Sequence, residues 1–183
     1  MIRSSVDEDL LSICTCAACD QDPELAGAIR RAVGSGAESV EEALGDLAGP
    51  VLAGRRAATR RMLDAVADAA GGARLTVHAG LDRWGTGSFT TFGPGPLPVD
   101  ALILSDPAAG ALDAEAVAAL ASGSGAAVGA YVQAMPPQDP DGLAERWQAL
   151  ARAGITEFVI YHGGLLSAAR SAAAAAALAA VRG

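Results

Sequence analysis

The sequence predicts an α/β fold in a single domain, with a helical segment over residues 1–73 and a parallel sheet with interleaved helices over 74–183. Three observations carry this. Apolar residues recur at helical spacing through the first seventy residues without a strand pattern, and four short β-type runs follow. Helix-start residues stand between those runs, and strands alternating with helices imply parallel pairing. At 183 residues the chain is long enough to bury one core.

Taken in order, Asp22 before Pro23 makes an N-cap and first-turn pair for a helix carrying Leu25, Ile29 and Val33, which Gly34 and Gly36 stop. Ser39 and Glu42 are spaced as a capping box for a second helix. A third, from about Pro50 to Ala70, is expected to bury Met62, Leu63 and Val66 on one side, with arginines on the other, and to end at Gly71-Gly72. "RLTVHAG", "VDALILSDP", "AAVGAYVQAMPP" and "ITEFVIYHGG" then read as strands. Asp113, Asp141 and Ser167 are the expected caps of the intervening and terminal helices. The connection from Leu81 to Pro98 has no helical period and holds Trp84, Phe89 and Phe92 among glycines and prolines. It reads as a lid or binding loop.

Composition excludes several classes of partner. The mean hydropathy of +0.31 comes largely from alanine, because aromatics make up 4% of residues. All 13 basic residues are arginine, which with the Ala and Gly bias fits codon pressure in a GC-rich bacterium. A net charge of -8 argues against nucleic acid, and Arg55, Arg56, Arg60 and Arg61 read as the solvated face of one helix. Asp7, Glu8 and Asp9 stand where a signal peptide needs an apolar run, and the alanine stretch from Ser171 to Val181 is too short and weakly apolar to span a bilayer. A cytoplasmic protein with reduced thiols is expected.

Strand alternation sorts the side chains into two faces. If Leu102, Leu104, Val128, Val132, Phe158 and Ile160 face the helices, the opposite set is Thr76, His78, Ser105, Tyr131, Gln133 and Tyr161. That second set is polar: in a barrel its members near the strand C-termini line the ligand mouth, and in an open sheet they form a wet face with satisfied hydroxyls. His78 and His162 fall near the tops of the first and last strands, so barrel closure is expected to be needed to bring them together. A His/Cys metal site including Cys14 is one reading of these histidines, and hydrogen bonding in a pocket is the other. "HGGLLSAAR" could offer backbone N–H groups to a phosphate, or serve as an ordinary tight turn.

"LLSICTCAACDQD", "RLTVHAG", "VGAYVQAMPP" and "IYHGGLLSAAR", in this order, resemble the later half of alanine-rich actinobacterial (β/α)8-barrel proteins related to glycoside hydrolases. The C-x-C-x-x-C also resembles the zinc-binding cysteines of glycoside hydrolase family 42 β-galactosidases. That resemblance implies a structural zinc held by Cys14, Cys16 and Cys19, with a fourth ligand expected upstream of Met1. A full barrel takes about 250 residues, so four β/α units imply half of a TIM-type barrel, strands five to eight. A half-barrel with open edges is expected to pair with a copy of itself or with a complementary half.

The resemblance also places the catalytic carboxylates, and the chain departs from it at both positions. "MIRSSVDEDLLS" lacks the Asn-Glu pair of the acid/base, and "YVQAM" has Gln133 nearest the nucleophile position. Asp82 and Asp106 are the remaining carboxylates near strand tops. The expected function is therefore a glycoside-hydrolase-like barrel fragment, not catalytic alone, with a carbohydrate-binding face built from His78, Trp84, Tyr131, Gln133, Tyr161 and His162. Two alternatives remain. One is a non-catalytic, self-assembling interaction module; the other is a phosphate- or flavin-binding barrel fragment, because "GLAERWQALARAGITEFVI" is similar to a late helix and strand of the luciferase-like family.

Overall fold

A computed structural model describes residues 5–14, 24–85, 92–106, 112 and 114–182. Among the described residues three short helices, α1 (Ser5–Leu11), α2 (Leu25–Ala32) and α3 (Val40–Leu44), precede the long α4 (Ala48–Ala70). The α/β part follows as β1 (Thr76–Ala79), β2 (Ala101–Asp106), α5 (Ala114–Ser124), β3 (Ala127–Gln133), α6 (Leu143–Arg152), β4 (Ile155–Tyr161) and α7 (Ala168–Arg182). All strand pairs are parallel and the spatial order is β1-β2-β3-β4.

The helix boundaries follow local chemistry with two shifts. The Ser39 hydroxyl accepts from the Glu42 N–H at 3.1 Å, as the capping box requires, but the Glu42 carboxylate reaches back to the Glu38 N–H at 2.9 Å. Asp139 rather than Asp141 starts the α6 region: its carboxylate accepts the Asp141 N–H at 3.1 Å and opens a 3-10 turn over Pro140–Gly142. Pro140 presets that turn, which moves the cap two residues upstream. Gly71, left-handed at φ 60°, ends α4. On α4, Leu63 is buried, but Met62 and Val66 are exposed, correcting the expected apolar stripe. Asp22, Pro23 and Asp113 lie outside the described residues.

Two apolar clusters hold the molecule. The larger packs α5, α6 and α7 on one face of the sheet through Leu102, Leu104, Val128, Val132, Val117, Leu143 and Trp147. Trp147 is fully buried and stacks on Phe158 with ring centroids 6.0 Å apart. Phe92, Leu97 and Val99, from the connection between β1 and β2, pack against the same cluster. The smaller cluster joins the first helices through Leu10, Ile29, Val40 and Leu44, and Trp84 inserts into it from the segment after β1. No described helix is long and apolar enough to cross a membrane.

Candidate functional site

The sheet face opposite α5, α6 and α7 carries the polar set. On β1 His78 is exposed, on β3 Tyr131 and Gln133 are half-buried, and on β4 Tyr161 is 46% exposed. Parallel register explains why one face collects them: Ser105, Tyr131 and Val159 are consecutive partners across β2, β3 and β4, and Gln133 pairs with Tyr161.

These side chains meet through their rings. His78 Nε2 lies 3.1 Å from the Tyr131 hydroxyl, and the two rings are edge-on at 5.0 Å. Tyr131 meets Tyr161 edge-on at 6.0 Å, and Tyr161 lies against His162 at 3.3 Å. A continuous row therefore runs from β1 over β2 to the end of β4. The two histidines are joined through the two tyrosines rather than to each other, with Tyr131 reaching across β2 to His78. The gap beneath the row is filled by Ile103, which is buried although it belongs to the polar face. Gly129 makes the room, since a Cβ there would stand 2.5 Å from Ile103 Cδ1 and 2.9 Å from Glu157 Cβ. On the same face Glu157 is ion-paired with Arg74, which precedes β1, so the pair links the two ends of the sheet.

Other residues singled out in the sequence go elsewhere. Trp84 is 4% exposed in the helical cluster, its indole N–H donating to Glu41 at 2.6 Å, so it does not join the ring row. Asp82 accepts the Trp84 N–H at 2.9 Å and shapes the turn that delivers it. Asp106 ends β2, its backbone paired with Val132. Cys14 is exposed beyond α1, while Cys16, Cys19 and Phe89 lie outside the described residues. Among the described residues no three His, Cys, Asp or Glu side chains converge on one point. In "HGGLLSAAR" the N–H groups of Leu165 and Leu166 are used within the turn itself, on the carbonyls of His162 and Gly163.

The described part of the loop after β1 is an anchor. Arg83 pairs with Glu41, and Arg55 donates to the carbonyls of Trp84 at 3.1 Å and Gly85 at 3.4 Å while its guanidinium stands over the indole at 5.7 Å. Burial lowers the Arg55 pKa, with Asp9 and Asp82 opposing it. This corrects the reading of Arg55 as part of a solvated helix face, and Glu41 was missed, since nothing local marks which loop covers a helix. Arg170 was missed too: it donates to the carbonyls of Ala134 at 2.7 Å and Gln138 at 2.9 Å, tying the segment after Gln133 to α7. Comparison with family models, curated proteins and solved structures finds no match.

Proposed function

We propose that this chain is a half-barrel module whose sheet face opposite α5, α6 and α7 binds a polyhydroxylated ligand of the carbohydrate class without hydrolysing it alone. The observation that carries the reading is the row His78, Tyr131, Tyr161 and His162 near the carboxyl ends of parallel strands, on the face opposite α5, α6 and α7. Strand carboxyl ends are where barrels build their sites. Phenol and imidazole groups donate and accept hydrogen bonds to hydroxyls, and their ring faces match the apolar C–H faces of a pyranose. Gln133 beside Tyr161 adds an amide donor and acceptor. A retaining glycosidase needs two carboxyl groups about 5 to 5.5 Å apart. The described strand residues of this face offer Glu157, which is held by Arg74. That supports binding over turnover.

A second reading rests on the sheet edges. β1 and β4 each have one neighbour, so among the described residues two strand edges of the four-stranded sheet are unpaired. A second copy of the chain, or a complementary half, would cover them.

Saturation-transfer NMR against a panel of mono- and disaccharides tests the first reading. Transfer to sugar protons is expected in the wild type and its loss in both Tyr131→Ala and Tyr161→Ala, with aryl glycosides left intact. Transfer from no sugar, or transfer undiminished in both variants, would contradict it.

A further inference from the structure

We infer that a second site, for a small organic anion, lies between α4 and the segment returning toward β2. A cavity of about 210 Å³ opens there, with Arg56 and Arg60 on one wall and Phe92, Gly93, Pro94 and Leu97 on the other. It is separate from the ring row, because Phe92 and Leu97 pack on the helix-covered side of the sheet.

Arg56 is the recognising group. Its Nε is buried and has no hydrogen-bond partner among the described residues. Burial of that edge fixes the stem against the loop, and the remaining N–H groups of the guanidinium are the ones that give an anionic oxygen in the cavity a charge-assisted hydrogen bond. Arg60 stands one turn further along α4, tied through its own Nε to Asp64 at 3.1 Å. Gly93 sets the geometry of the opposite wall. A Cβ built there would lie 3.3 Å from Arg56 Cδ, closer than side chains ordinarily pack, so glycine lets the arginine stem lie against the loop.

The walls define the ligand. One is cationic and the other is apolar, formed by an aromatic ring, a proline and a leucine. They fit a carboxylate or phosphate monoester joined to a compact apolar or ring body, with its oxygens toward Arg56. A chain of net charge -8 repels anions at long range, so capture depends on this local guanidinium.

Isothermal titration with benzoate and with phenyl phosphate tests the site and distinguishes the two oxyanions. At least one probe is expected to bind saturably, with affinity reduced at least about tenfold in Arg56→Gln, the loss of a charge-assisted bond. Gly93→Ala is expected to weaken the same probe by displacing the stem. Arg61→Gln, on the exposed side of α4, is expected to leave it unchanged. Melting curves without probe establish that each variant folds, and should Arg56→Gln not fold, Gly93→Ala decides. Binding of neither probe, an unchanged affinity in the folded Arg56 variant (or in Gly93→Ala where that variant decides), or an equal loss in Arg61→Gln would overturn the site.

Discussion

Gly129 shows how one residue shapes the face that carries the ring row. A methyl at this position meets Ile103, the Glu157 Cβ and, at 3.0 Å, the Glu157 carbonyl oxygen, which as backbone cannot rotate away. Gly129→Ala is therefore expected to destabilise the fold by about 1 to 3 kcal/mol, the usual cost of overpacking. Urea melts measure this, and an unchanged midpoint would mean that β4 shifts freely. Which side chains share the polar face was readable from alternation, because period two is a property of any extended strand. The contacts among them were not, because His78 and Tyr131 lie on strands separated by β2 and their meeting depends on register. The same limit applies to Arg55 and Arg56. Spacing put them on one helix with Arg60 and Arg61, but both are half-buried because the segments at 82–85 and 92–97 cover that part of α4.

Between elements, the junction of the helical segment and the sheet turns on Glu41. Burial acts to raise its pKa, but the Trp84 indole N–H, its own backbone N–H and Arg83 together outweigh this and leave it below the ordinary 4.5. A carboxyl depressed by folding contributes stability above its unfolded value and loses it as pH falls through the folded value. Thermal melts from neutral pH into acid should therefore show a steeper decline in the wild type than in Glu41→Gln, whose amide does not titrate. Parallel declines would remove Glu41 from the junction's acid sensitivity. Trp84→Ala empties an aromatic site in the smaller cluster and is expected to cost about 3 to 5 kcal/mol, read from denaturant midpoints. A loss below about 1 kcal/mol would show that Trp84 does not anchor the helices. The four strands and the β/α alternation were legible, since they follow from short apolar runs, whereas α1 was not expected and the α6 cap fell two residues from the one read. The role of the long connection was not legible either. A stretch without period carries no local sign of what it packs on, so a segment read as a lid delivers Trp84 to one core and Phe92 to the other.

At the scale of the molecule, the strands run in sequence order and α5, α6 and α7 pack on one side. A doubly wound sheet reverses its order at a switch point and covers both faces, whereas successive units of a barrel do neither. The proposal of a half-barrel draws on that contrast. It also implies assembly: light scattering is expected to give a mass above that of one chain, and a monodisperse monomer would show that the open edges need no partner. The central proposal, that a sugar is held on the face of the ring row, has an internal reporter. The chain contains two histidines, and both belong to the ring row. Proton NMR of the imidazole Cε1–H signals during titration with a sugar that binds reads that face directly. The account predicts that both resonances move and saturate together with binding; a sugar that binds while both stay in place would contradict it.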